Sequence, residues 1–426
     1  MPEIRNTANP VCAPGLVSDK PFTALMGPVL LMTSVFFFNF LGRLMLAPFL
    51  VSIEQELSIS HMQAGELFLF TSLGISLALV CSGFLARKVQ HRRTILLSSF
   101  GVGLFMILIS WTSTLAGLKW AMFGLGTAVG LYLPSGISTI TSVLPRAHWG
   151  KGLALHELAP NLSFIAAPAI AAVTQDIFTW REVFFGLGVA GILMGLVYVR
   201  FCQGGRFPGE APRPAVLKGI LQRPQFWILA FLFGLAVGVT FGTYSMLPLY
   251  MVEEHGLAKE AANNLLSLSR VPCLAMALGA GWLVDRIGGK RTVLLALGLT
   301  GLLTMALGVL HPPALQAGVL VQPLFAVSFF PAAFTLISKV FPSQVRNVAV
   351  SFIVPVAVVI GTGLIPTFLG VFGDHGQFDV GFLCLGLLVF FGVHLIHFLD
   401  TDLIAQDICL DLPHAESVQE GSHPGL

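Results

Sequence analysis

Long apolar runs, each about twenty residues or more, alternate with short polar breaks along nearly the whole chain. They fall at 24–52, 63–85, 94–114, 118–144, 152–174, 182–202, 225–251, 261–284, 292–310, 315–341, 347–371 and 379–399. Each is long enough to cross a hydrocarbon layer of roughly 30 Å, which takes about 20 residues of helix. Lipid excludes irregular backbone, so the pattern predicts twelve transmembrane helices. Only one break is long: 204–223, rich in Pro, Gly and basic residues, reads as a linker. The expected organisation is a tail at 1–21, a six-helix bundle at 22–203, the linker, a second six-helix bundle at 224–400 and an acidic tail at 401–426.

Composition sharpens this to an all-α membrane protein embedded in the lipid bilayer. Of 426 residues, 55% are hydrophobic and 10% charged, far from a soluble domain. The formal net charge of +2 leaves no footprint for nucleic acid. Cys12, Cys81, Cys202, Cys273, Cys384 and Cys409 show no metal or redox spacing, so neither a metal nor a cofactor is expected. No phosphate-binding glycine loop and no nucleophile motif is present, which argues against ATP-driven transport and against an enzyme.

The breaks are asymmetric in charge. Assigning both tails, the linker and alternate loops to one side places 18 of the 23 Lys and Arg there. The other side keeps Lys119, Arg181 and Lys259, together with Glu54, Glu56, Glu253, Glu254, Asp374 and Asp379. The positive-inside rule therefore expects both termini in the cytoplasm and the chain in the inner membrane. From Asp400 onward there are six acidic residues and no Lys or Arg, the composition of a solvated end.

Two stretches show that the chain is a duplication. Gly281-Trp282-Leu283-Val284-Asp285-Arg286-Ile287-Gly288-Gly289-Lys290-Arg291-Thr292 has a degraded copy 198 residues earlier, from Gly83 to Thr94. Tyr132-Leu133-Pro134 with Ile140, Val143 and Pro145 likewise matches Phe330-Pro331 with Ile337, Val340 and Pro342. The 281–292 stretch resembles the loop signature of the major facilitator superfamily, G-x-L-x-D-R-x-G-x-K/R-R-x. That resemblance spans residues 22 to 400 and implies two pseudo-symmetric six-helix bundles that usually work as a monomer. It also implies that Gly281, Asp285, Arg286, Gly288 and Arg291 form a gating latch. In the first copy Gly83 is kept, but Arg87 stands at the family's Asp position and Gln90 at its second Gly, so any latch there must work differently.

Arg43 and Arg270 lie deep in apolar runs of opposite halves. An Arg in hydrocarbon costs at least about 2.5 kcal/mol on insertion scales, so each should face a cavity or a partner. The guanidinium fork matches carboxylate or phosphate, which favours an anionic substrate; a purely structural role stays open for each. Asn39 is one helical turn before Arg43, and Tyr132, Tyr244 and Gln322 are further candidate cavity groups. The row from Arg43 to Leu57-Ser58 and Gln63-Ala64-Gly65 resembles organic-anion branches of the superfamily. His156-Glu157, followed by Pro160 and Asn161, is the ionisable pair inside a run and the candidate proton-coupling site, with Glu157 as the expected buried acid. A polar contact with the basic 146–151 loop stays open for it.

The expected function is a secondary transporter of a small organic anion such as a carboxylate, proton-coupled, with its site at mid-depth. The alternatives are drug or solute efflux by proton antiport, and a non-transporting receptor or scaffold.

Overall fold

The structure, a computed structural model, describes residues 22–202, 204–209 and 214–399. The expected tails at 1–21 and 401–426 lie outside the described residues. Every regular element among the described residues is a helix. Ten helices are long and apolar enough to cross a membrane, and the bent pair Lys259–Met276 and Gly279–Ile287 supplies another. The helix His61–Trp111 is 51 residues long but breaks at Gln90, so it is two spans. Twelve spans result.

Numbered in chain order, they are span 1 (Leu25–Leu57), span 2 (61–89), span 3 (91–111), span 4 (Leu115–Val143), span 5 (Arg146–Thr174) and span 6 (Trp180–Phe201). The second half holds span 7 (Pro224–Glu253), span 8 (Lys259–Ile287), span 9 (Gly289–Leu307), span 10 (Ala314–Val340), span 11 (Val345–Gly373) and span 12 (Phe378–Phe398). Large apolar side chains such as Leu77, Val173, Leu193 and Phe391 point outward, as lipid-facing positions must.

Four breaks in the spans fall next to a carbonyl that a proline four residues on cannot bond, although Pro28, Pro168 and Pro248 sit inside helices that continue. Pro48 leaves Leu44 without that bond, and span 1 breaks at Met45. Pro134 does the same for Gly130, with a break at Leu131, and Pro331 for Val327, with a break before Phe329. Pro160 releases the carbonyl of His156, and span 5 breaks at Glu157. Spans 7 and 11 yield differently, through π-helical segments Gly238–Gly242 and Val359–Leu364. These segments cross on bare backbone: a Cβ on Gly361 would lie 2.5 Å from the Gly238 nitrogen, and one on Gly242 would lie 2.7 Å from the Gly361 oxygen. Gly234, spaced four residues before Gly238, likewise lets span 7 sit against Ile360 of span 11. Gly126 and Gly130 likewise give span 4 its seat on the Thr71 and Ile75 backbone of span 2.

The duplication is visible in backbone geometry. Gly288 has φ 84° and ψ 154°, and Gln90, its counterpart, has φ 71° and ψ 157°. Glycine adopts that conformation freely, whereas a side chain there costs about 1–3 kcal/mol. The linker braces the strained copy: Arg92 N donates to Gly205 O at 2.8 Å, His91 N to Phe207 O at 3.2 Å, and Gly209 N to Ala86 O at 3.1 Å.

Candidate functional site

A narrow cleft of about 20 Å³ opens between the halves, lined by Arg43, Leu44 and Ala47 of span 1, Phe68 and Thr71 of span 2, Phe241, Tyr244 and Ser245 of span 7, and Thr362 of span 11. Arg43 reaches it because its helix ends one residue later, at the break above Pro48. Its guanidinium carbon sits 4.5 Å from the Phe241 ring centroid and 5.5 Å from that of Phe40. Its Nη2 is buried and has no hydrogen-bond partner among the described residues. Two ring faces return about 1–2 kcal/mol each at best when desolvated. They soften the burial of this charge, yet leave a donor that an anion would satisfy.

Arg270 comes from the opposite half to the same aromatic cluster. It is 4% exposed, and its guanidinium carbon lies 4.8 Å from the Phe164 ring and 5.0 Å from the Tyr244 ring. Phe164 also packs against Phe241 at 4.9 Å and Tyr244 at 5.0 Å. Tyr244 therefore touches Arg270 while lining the cleft of Arg43, and its hydroxyl is buried with no partner. Arg270 is not wholly unpaired: Nη2 donates to Thr240 O at 3.2 Å, whereas Nε has no partner. Thr240 lies in the π segment of span 7, and Gln322 donates to the neighbouring Val239 O at 3.0 Å and to Thr304 Oγ1 at 3.2 Å. Gln322 and Arg270 thus hold adjacent carbonyls where the helix is distorted.

The remaining candidates take other places. Asn39 Nδ2 donates to Ser98 Oγ at 2.8 Å, and Ser98 to Ala128 O, so its amide serves the packing of spans 1, 3 and 4 in this conformation. Its Oδ1 is buried with no partner among the described residues. Tyr132 is fully buried, donating to Met32 O at 2.8 Å and meeting His156 Nε2 at 3.1 Å. The His156 and Tyr132 rings lie nearly parallel to Phe36, at 4.4 and 4.9 Å. The expectation of Glu157 as the buried acid is corrected: its side chain is 58% exposed and His156 is the fully buried partner, with 3.7 Å between Oε1 and Nδ1. The break at Glu157 turns the two apart, as neighbours on a helix are about 100° apart to begin with.

The two ends of the molecule differ. At the acidic end the halves are joined: Asp374, just past span 11, accepts from Ser60 Oγ at 2.9 Å and from the backbone of His61 at 2.7 Å and Met62 at 3.3 Å. It occupies the N-terminus of span 2, where free N–H groups and the helix dipole favour an anion. Lys259 Nζ donates to Gln55 Oε1 at 2.8 Å, and Asn263 Nδ2 to Pro48 O at 3.2 Å. Deeper, Ser267 bonds Ile165 O and Ser76 bonds Pro355 O. At the signature end Asp285 and Arg286 are exposed. Asp285 has no hydrogen bond or ion pair among the described residues, while Arg286 rests on the Trp282 ring at 5.1 Å. The implied latch is not engaged in this conformation. A Cβ on Gly281 would meet nothing within 4 Å, and Gly83 is half-buried in the helix of span 2. Arg291 lines a second cleft with Gly288.

The aromatic cluster and the Asp374 bond escaped the sequence reading. Phe40, Phe164 and Phe241 lie on three spans with no shared spacing. Asp374 and Ser60 are 314 residues apart. The helical breaks were legible in Pro48, Pro134, Pro160 and Pro331, each four residues beyond the freed carbonyl.

This is the architecture of a helical transporter with a site between two halves. Residues 32–272 and 245–403 match the family model of the Major Facilitator Superfamily, and the chain belongs to that family. Among curated relatives, the multidrug resistance protein MdtG of Yersinia enterocolitica is 24% identical over 297 residues, covering 65% of this chain and 69% of the relative. MdtG of Escherichia coli is 25% identical over 289 residues, with 64% and 69% covered. Among solved structures, a bacterial homologue of the human lysosomal transporter Spinster, inward-facing and unoccupied, aligns with a TM-score of 0.75 at 14% identity, covering 89% of this chain and 97% of that one. A D-xylose–proton symporter aligns at 0.71 and 16%, covering 88% and 98%. The chain is a transporter, not an enzyme.

Proposed function

We propose that this transporter carries a small organic anion with an apolar body, binding it between Arg43, Tyr244 and Phe241. The observation that supports the reading best is the unpartnered Arg43 Nη2 beside the unpartnered Tyr244 hydroxyl in one aromatic-walled cleft. A carboxylate or phosphonate would accept from both, and the rings of Phe68 and Phe241 suit an apolar remainder. In this reading the basic end faces the cytoplasm, the Asp374 contact closes the far side, and the conformation is open inward. The monomer is the working unit, and proton exchange at His156 and Glu157 drives accumulation.

A second reading, drug export, draws support from the MdtG relatives and the aromatic walls. Counterflow in proteoliposomes separates the two, with labelled aromatic carboxylates, phosphonates and lipophilic cations as the panel. Anion exchange that Arg43→Gln abolishes is the expected result. Exchange of cations that survives Arg43→Gln would overturn the anion reading and leave drug export standing.

A further inference from the structure

The signature end carries a second cleft, apart from that of Arg43. It is an open cleft of about 450 Å³ between spans 8, 9, 10 and 12, and Lys290, Arg291, Lys339 and His397 line it above a floor of Ile287 and Leu336. No carboxylate lines it. Arg291 and Lys339 are exposed and make no hydrogen bond or ion pair among the described residues, while Lys290 Nζ donates to Leu399 O at 3.1 Å. That bond ties the cleft to the end of span 12, where the acidic segment begins.

From Asp400 the sequence reads Asp-Thr-Asp-Leu-Ile-Ala-Gln-Asp-Ile-Cys-Leu-Asp-Leu, with carboxylates at 400, 402, 407 and 411 among Leu403, Ile404, Ile408 and Leu412. Acid mixed with aliphatic residues complements a basic rim over an aliphatic floor. We propose that residues 400–412 dock in this cleft as an intramolecular ligand of the 281–292 loop. Three features carry the choice of occupant: Leu399, which precedes the acidic segment, is bonded to Lys290 in the cleft, the charges are opposite, and both surfaces mix charge with aliphatic side chains. Tethering sets an effective concentration in the millimolar range, so weak contacts suffice. Extended chain spans at most about 3.3–3.6 Å per residue, which lets Asp402 and Asp407 reach any part of a cleft this size. Because span 12 ends beside the cleft, the argument is independent of which side of the membrane this end faces.

The test uses the full chain with Cys12, Cys81, Cys202, Cys273 and Cys384 replaced by Ser, leaving Cys409. Lys339→Cys, at the cleft, is compared with Lys151→Cys, at the same end of the first half, under mild oxidation in nanodiscs of zwitterionic phospholipid. The expected result is a several-fold higher yield of intramolecular disulfide for Lys339→Cys. That yield should fall several-fold when Asp402, Asp407 and Asp411 become Asn, a change that leaves every span untouched. Equal yields at the two positions, or a yield that the Asn variant keeps, would overturn the proposal. If disulfide disappears in nanodiscs containing phosphatidylglycerol at physiological salt, the cleft belongs to anionic lipid headgroups and the proposal also fails. None of these readouts depends on the transported substrate, so this result and the anion reading stand or fall separately.

Discussion

At the scale of single residues, Arg43 separates attraction by charge from recognition by shape. A charge-assisted hydrogen bond is worth about 1.5–3 kcal/mol, and an ammonium cannot reproduce the planar fork. Arg43→Lys should therefore weaken anion binding about 10- to 100-fold in counterflow while membrane insertion stays normal. Unchanged half-saturation would remove Arg43 from the site. Gln90 makes a different kind of prediction. Its backbone conformation is one that glycine adopts without strain, so Gln90→Gly should stabilise the protein by about 1 kcal/mol, part of the gain being lost to unfolded-chain entropy. Thermal unfolding in detergent would show it, and a lower midpoint would mean the Gln90 side chain contributes more than its strain. The sequence exposed both positions for simple reasons: an Arg stands out in an apolar run, and Gln90 stands out against its repeat. It concealed Phe164 and Phe241 because one aromatic among many in a lipid-facing chain carries no mark until neighbouring spans converge on it.

At the scale of elements, helix ends do the joining. Asp374 grips the start of span 2 through one hydroxyl and two backbone N–H groups, and spans 2 and 11 approach closely there, with Gly65 against the backbone of Pro366 and Thr367. Losing the carboxylate removes about 0.5–2 kcal/mol of capping and the bond between halves together. Asp374→Ala should raise the rate at which a cysteine placed at Ser52 reacts with an impermeant maleimide, as the acidic end opens more often. Ser60→Ala, which removes only the hydroxyl acceptor and donor, should have a smaller effect. Equal labelling in wild type and Asp374→Ala would show that the joint does not govern opening. Apolar periodicity revealed the twelve helices; it is silent on which helix start meets which loop, because that depends on how two halves dock.

At the scale of the molecule, the repeat supplies two similar halves, and the proposed coupling pair is a departure from it. His156 and Glu157 face Ile353 and Val354 in the second half's register, so only the first half carries the pair. With His156 buried against Phe36 and Glu157 exposed 3.7 Å away, a proton passing between them would link the interior of the first bundle to water. Glu157→Gln should still exchange substrate between loaded sides yet fail to accumulate it under an imposed pH gradient. Accumulation equal to wild type would exclude Glu157 as the coupling group and leave His156 to be tested alone.

The contact between Arg270 and Thr240 O has an evolutionary implication. One guanidinium holds the distorted turn of span 7 and rests on Tyr244, which lines the cleft of Arg43, so if the proposed anion enters there and draws Arg270 from that carbonyl, span 7 relaxes where it crosses span 11. Recognition and movement then have no separate genetic address. A lineage acquiring a new cargo through changes around Tyr244 would alter its speed in the same stroke, and natural variants should differ in tempo as much as in taste.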